Sequence, residues 1–554
     1  MQHLSGFDGM WYGYDHSKTA KAIMGTLFIF EPTETNDAGD IKKVVARLQD
    51  RLKVLPPLRR RIEGAPVGIN NQYWRECKVN VPDHVRELTL PQPGTDRELA
   101  KAVSDIINTG LDRSRPMWDY TIFHGLSGGR QAHLMRIHHA ACDGGTMQRV
   151  LGLLSDYSDE FAPNEKDYPD PLQSDRQAKA EMVGKGLKRT LLMPTQMLEA
   201  QKDSLQWVGK RIREDGVMAG PAFVARMLPG ALGRPLAKVV NAQLGSDATR
   251  VQPIQPRIMM PESKFNAKIT AERSYAWCIL PMPELLRIGK HFGVTFHSVV
   301  TAISASAARQ FLIANGEPVD KPLVLMSPYS LRRGGEESYW ANYASMFLTE
   351  LPVQLSDPVE RLRVCGRNVA ESRANFDTMP TDMMIDMSRM IPQLMWDALF
   401  QLVDYTPAEM LKRTSMGGNF TISNIRGPAK RFHMYGADVT EFLPVSFLGQ
   451  GLAHNVTCSS YAGELQVGFL GCPNVFPHSE LWDWPGYFRN AVDELLEYVD
   501  ADKAGAPSSS AVALTVRAPA RTRKAATPRK TAKKATSGRP ATATAAPAAR
   551  KGAA

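Results

Sequence analysis

Residues 137–145 read Ile-His-His-Ala-Ala-Cys-Asp-Gly-Gly, an HHxxxDG sequence placed where a strand pattern gives way to a helix pattern. Upstream, Trp118–Phe123 is rich in β-formers. A glycine-bearing turn follows (Gly125, Ser127, Gly128, Gly129), and Ala132–His139 resumes as a strand, so the segment predicts a hairpin. Downstream, Met147, Val150, Leu151, Leu153 and Leu154 recur at helical spacing, with Asp143, Gly144 and Thr146 as candidate opening residues. Two imidazoles therefore stand at the end of a buried strand, and a carboxylate stands at the start of a helix.

Such an arrangement suits general-base catalysis. A neutral imidazole takes a proton from an alcohol and later returns it to a leaving group, provided one tautomer and one orientation are held. In a strand of period two, His138 and His139 face opposite sides, so only one can face a substrate. His139 is the candidate base, His138 is expected to pack behind it, and Asp143 is expected to hold the loop closed. Cys142 completes a set that also resembles a metal site. Adjacent histidines diverge in a strand, however, and no third His or Cys lies at zinc-like spacing, so no metal is expected. The N–H groups of Gly144 and Gly145, at a helix start, are the first candidates to stabilise a developing oxyanion.

The HHxxxDG stretch resembles the active-site signature of the CoA-dependent acyltransferase superfamily, which includes peptide-synthetase condensation domains and chloramphenicol acetyltransferase. The likeness extends through LSGFDGMWYGYDHS near the N-terminus, VLPPLRRRI, RSRPMWDY, MSPYSLR (326–332), ANYASMFLTELP (341–352), NFTISNIRGP (419–428) and LPVSFLGQGLAHNVTCSSYAGEL (443–465). Together these segments resemble the wax ester synthase/diacylglycerol acyltransferase family over nearly all of residues 1–500. The resemblance implies an α/β fold of two chloramphenicol-acetyltransferase-like halves with a tunnel between them. It also implies transfer of a long-chain acyl group from acyl-CoA, a co-substrate, to diacylglycerol or a fatty alcohol, with no cofactor. By family position Ser423 and Asn424 become second oxyanion candidates. Two departures stand out. Met117 replaces the leucine of a proline-leucine-tryptophan motif, a volume-conserving change. His297-Ser298 replaces an asparagine-aspartate pair that opens a helix, where serine can still cap. The same base and tunnel would also serve a polyketide-like or glycolipid alcohol. The altered pair leaves a catalytically weak lipid-body or nucleoid-binding protein as a third reading, against which the intact HHxxxDG stretch argues.

At 554 residues the chain is too long for one core. The expected division is 1–160, carrying HHxxxDG; 161–260, a connecting region; 261–502, a second acyltransferase domain; and 503–554, a tail. The final helix should bury Phe488, Val492, Leu495, Leu496 and Val499 on one face. From Lys503 onward there are twelve Lys or Arg and no acid; setting these aside from the formal +10 leaves −2 for residues 1–502. The tail is expected to be disordered and to favour anionic lipid or nucleic acid. No run approaches the ~18 apolar residues of a spanning helix, and the N-terminus lacks a secretory pattern. Six scattered cysteines suggest reduced thiols. The expectation is a cytoplasmic protein, peripheral to membranes or lipid bodies, with the basic amphipathic stretch Lys185–Arg213 as its anchor. A methionine cluster (Met379, Met383, Met384, Met387, Met390, Met395) suits an acyl channel or a membrane, but its spacing predicts a buried helical face.

Overall fold

A computed structural model of the chain describes residues 2–156, 261–330, 344–377 and 393–503, except 5, 36, 65–71 and 415–417. It also describes the isolated positions 188, 192, 235, 238, 239, 242, 340, 342 and 391. The Lys185–Arg213 anchor (Lys188 and Leu192 apart), the methionine cluster before Met395 and the tail beyond Lys503 lie outside the described residues.

After the N-terminal helix Gly6–Tyr14 (α1), the strand Ile23–Phe30 (β1) is buried at every position, the pattern of a strand covered on both faces. Val85–Thr89 (β2), Trp118–His124 (β3) and Gln131–His138 (β4) complete the N-terminal share of a sheet, and β3–β4 is the predicted hairpin. Ile41–Arg51 (α2) and Asp96–Ile107 (α3) follow their own signals. In α3, Thr95 and Glu98 form a reciprocal capping box, which satisfies donors that a helix start leaves unpaired. Gly144–Leu154 (α4) is the helix expected after HHxxxDG.

The second half contains Ser274–Pro281 (β5), Leu323–Ser330 (β6), Ala344–Leu351 (β7), Phe420–Ile425 (β8), His433–Met434 (β9), Ala437–Val445 (β10), His454–Tyr461 (β11) and Glu464–Gly471 (β12). Its helices include Met282–Phe292 (α5), Phe296–Ala314 (α6), Pro358–Asp377 (α7), Gln393–Val403 (α8), Ala408–Thr414 (α9) and Trp484–Lys503 (α10). On α10, Phe488, Val492, Leu495 and Val499 are buried, while Leu496 packs part-buried at the edge of the core.

Two six-stranded sheets result, in the orders β9-β10-β1-β4-β3-β2 and β7-β6-β8-β11-β12-β5. Chain order does not divide them at residue 260. Strands β9 and β10, within the span expected to build the second half, join the first sheet, with Phe442 opposite Phe28 and Leu443 opposite Leu27. The reason is physical: β10 closes the β1 edge, which would otherwise leave a row of backbone groups unpaired. Strand β10 also binds the second sheet, where Tyr275 donates to the Pro444 carbonyl at 3.0 Å and Trp277 Nε1 to Glu441 at 3.1 Å. A Cβ at Gly468 of β12 would stand 2.1 Å from the Pro444 carbonyl oxygen, so glycine is what lets the two sheets meet. Among the described residues no helix is long and apolar enough to cross a membrane.

Candidate active site

Strand β4 ends at His138, whose N–H donates to the Met117 carbonyl at 2.9 Å. Met117 and Trp118 are buried, and Trp118 Nε1 donates to the Leu58 carbonyl at 2.9 Å, so the Pro-Met-Trp sequence is a scaffold that pins the strand end. The next N–H, that of His139, donates to the Ala22 carbonyl at 2.7 Å. Asp143 then takes an extended conformation at the N-cap of α4, and its carboxylate accepts from the Thr146 N–H at 2.8 Å. This is the bond by which a capping carboxylate satisfies an orphan donor. Helix α4 opens against β8, and a Cβ at Gly144 would stand 3.2 Å from Ile425 Cδ1.

The two imidazoles have different surroundings. His138 is 0 % exposed. Its Nδ1 accepts from the Ala140 N–H at 3.1 Å, which leaves the proton on Nε2, facing Asp15 Oδ2 at 3.2 Å. Burial pushes the Asp15 carboxyl up, but the neighbouring His138, Arg113 and the Ala22 N–H outweigh it and hold the group down at about 2. His138 is thus a packed residue set beside the Asp15 carboxylate.

His139 is half-buried and lies against Trp11, ring centroids 4.3 Å apart and planes tilted by 32°, with Phe447 edge-on at 5.4 Å. Its Nδ1 meets Asn342 Oδ1 at 3.1 Å. The amide of Asn342 cannot be turned over. Its nitrogen faces three acceptors: Asp8 Oδ1 at 2.7 Å, the His139 carbonyl at 2.7 Å and the Ala140 carbonyl at 3.1 Å. The amide oxygen therefore accepts a proton from Nδ1, and Nε2 keeps its lone pair. Burial lowers the His139 pKa to about 4 against the opposing pull of the Asp143 carboxylate, so the ring is neutral near pH 7. An imidazole held in this way can accept a proton at Nε2.

A cavity of about 530 Å³ lies beside it, of a size that holds an organic ligand. His139, Asp143, Gly144, Gly145, Ser423 and Asn424 all line it, so six of the seven candidate residues come together at one space. His138 does not line it. The substituted pair is elsewhere: neither His297 nor Ser298 lines the cavity. Thr295, not Ser298, caps α6; Ser298 is inside the first turn, donating its N–H to Thr295 Oγ1 at 3.2 Å. His297 Nε2 lies 3.4 Å from Ser327 Oγ, and burial lowers its pKa to about 4. No group of three metal-ligating side chains occurs among the described residues.

Four residues that complete this geometry were not singled out from sequence: Asp8, Trp11, Asp15 and Asn342. Each falls inside a segment that carries the family resemblance, and that was the available signal. No local pattern ties Asn342 to a histidine 203 positions earlier.

The chain matches the wax ester synthase/diacylglycerol acyltransferase catalytic domain over residues 4–300 and the C-terminal domain of the same family over residues 340–495. It belongs to that family. The protein is therefore an acyltransferase of the wax ester and triacylglycerol type, and neither the glycolipid-type nor the binding-protein alternative is favoured. The O-acyltransferase WSD of Acinetobacter baylyi is 26% identical over 472 residues, covering 82% of this chain and 89% of that protein. A solved wax ester synthase/diacylglycerol acyltransferase from Marinobacter aquaeolei has a TM-score of 0.58 at 22% identity, covering 90% of this chain and all of the other. The first condensation domain of the calcium-dependent antibiotic synthetase reaches 0.50 at 15% identity, covering 89% and 96%, a likeness of fold.

Proposed function

We propose that the cavity joins a long-chain acyl-CoA to the hydroxyl of diacylglycerol or a fatty alcohol, with His139 as general base. Nε2 takes the hydroxyl proton as the oxygen attacks the thioester carbon. The carbonyl oxygen becomes an oxyanion, for which the Gly144 and Gly145 N–H groups and the Ser423 and Asn424 side chains are the candidate donors. Collapse breaks the carbon–sulfur bond, and the imidazolium returns its proton to the CoA thiolate. The products are an ester and free CoA, with no covalent enzyme intermediate, so Cys142, fully buried, needs no role. Asp143 acts through the loop, as the cap of α4. Donor and acceptor reach His139 through a tunnel from opposite faces.

The observation that carries this reading is the Asn342 amide, whose oxygen fixes the His139 tautomer with the free nitrogen available to the cavity. The test is labelled palmitoyl-CoA presented with diacylglycerol, hexadecanol and a glycolipid alcohol, to the wild type and to His139→Ala. Labelled triacylglycerol or wax ester from the wild type alone is the expected result. Equal turnover by both proteins would remove His139 from the reaction.

A further inference from the structure

Helix α8 is amphipathic in the wrong sense for a surface helix. Two of its polar residues turn inward, although Gln401 is exposed: Gln393 is buried and donates to the Gly9 carbonyl at 3.0 Å and to Asp397 at 2.7 Å, while Asp397 also stands 3.5 Å from His16. Asp404, just past the helix, accepts from Ser17 at 2.8 Å and Thr19 at 3.0 Å. Several of its apolar residues turn outward: Leu394 is 74% exposed, Met395 60% and Leu402 64%, with Leu399, Tyr405 (67%) just past the helix end and, on α9, Met410 beside them. The buried face predicted for the methionine cluster is therefore not what Met395, its one described member, adopts. Among the described residues, half of the exposed large hydrophobic side chains lie between 394 and 410, a concentration that marks an interaction site.

Three further observations identify the partner. Phe400 and Val403, on the inner side of α8, line the cavity, so the outer apolar face is one helix away from the acyl-transfer site. Asp397 and Asp404 are drawn into the body, which leaves the outer face of α8 itself without an acidic group, while Glu409 on α9 is exposed beside Met410 and pairs with Lys412 at 2.9 Å. At its C-terminal edge, Lys18 lies over the Tyr405 ring at 5.7 Å and Lys268 reaches the Thr406 carbonyl at 3.5 Å. Neither lysine has a carboxylate partner among the described residues. Leucines flanked by a tyrosine and by lysines that can meet phosphates match the interface of a phospholipid leaflet.

We infer that the outer face of α8, with Tyr405 and Met410, docks the protein on a phospholipid membrane and holds the cavity at the lipid surface. The physiological sense of this docking rests on the lipid-acceptor reading of the cavity, but its test requires no turnover. The probe is flotation with vesicles of phosphatidylcholine containing a minority of phosphatidylglycerol. The full chain should float, and Leu394→Glu/Leu402→Glu should reduce vesicle binding about tenfold or more, since each leucine withdraws from the apolar layer. Neither leucine lines the cavity, so turnover of a short-chain, water-soluble alcohol should be unchanged. Lys18→Glu/Lys268→Glu provides a second variant pair, expected to weaken binding to the anionic vesicles and less so to pure phosphatidylcholine. Undiminished flotation of the leucine variant would overturn the inference. So would sedimentation showing a wild-type dimer that the leucine substitutions dissociate, with no vesicle binding. Loss of turnover on soluble alcohols by the wild type would count against the acyl-transfer reading alone.

Discussion

The two walls of the cavity differ in kind. One, from α1, β1, the end of β4 and α4, carries His139, Asp143 and the glycine N–H groups, braced by Trp11, Asp8 and Asn342. The other, from β8 and β11, is mostly polar and uncharged, its His454 held neutral by burial that lowers its pKa to about 3. Its cross-strand pairs are Thr421 with Asn455, Ser423 with Thr457 and Ile425 with Ser459, and all six residues line the cavity. Thr457 donates to Asn455 at 2.8 Å, whereas Ser459 Oγ is buried without a hydrogen-bond partner among the described residues. A buried hydroxyl left unpaired costs about 1–3 kcal/mol, so a plain alkyl chain is a poor neighbour for this wall and an ester carbonyl a better one. In the proposed reaction, proton transfer would belong to the first wall and substrate choice to the second.

The strongest way to break this division is His139→Ala, which should lower turnover by about 10²–10⁴ with an unchanged melting temperature. Steady-state rates beside a thermal melt decide it. Asn342→Leu should follow, with a drop in kcat of about tenfold, because the hydrogen bond that selects the tautomer is gone. Little change in KM for the acyl donor would separate this from a loss of binding. His138→Ala sharpens the contrast between the neighbouring imidazoles. Denaturant unfolding should show a loss of about 3 kcal/mol, because the buried Asp15 carboxylate loses the imidazole 3.2 Å away, while activity falls less than in His139→Ala. Stability intact and activity abolished would exchange the roles of the two histidines. The smallest effect belongs to the second wall: Ser459→Ala should shift the ratio of diacylglycerol to hexadecanol turnover a few-fold, at a nearly constant sum, read from one competition assay.

Much of this was legible in the sequence because it is local. The β3–β4 hairpin, α4 and the opposed facing of His138 and His139 follow from periodicities of two and 3.6 within some forty residues. The cap at Asp143 follows from residue type alone. What stayed hidden depends on contacts between distant segments. Strand β10 has ordinary strand chemistry, and nothing in it states that its partner is β1, some four hundred residues earlier. Asn342 and Asp8 become functional only when α1 and the segment before β7 meet at the loop after β4. Ser298 was a plausible cap by type, yet Thr295, three residues earlier, takes that place. The outward leucines of α8 depart from the rule that apolar spacing marks a buried face, as the inferred membrane docking would require.

The central claim is that a neutral, oriented His139 is the base, and the pH dependence of kcat/KM on a soluble acceptor tests it most directly. Burial lowers the folded pKa of His139 from 6.5 to about 4, so the base form persists well below the usual histidine range. The same sign governs stability. Between about pH 6.5 and 4 the unfolded chain binds protons that His139 and His297 do not, so the melting temperature should fall as pH falls through that window. The rate, measured on intact protein, should stay flat from neutral pH to about 5 and decline around pH 4. That decline should be absent from the residual activity of His139→Gln. An acid limb at pH 6.5, or the same limb in wild type and variant alike, would contradict the account.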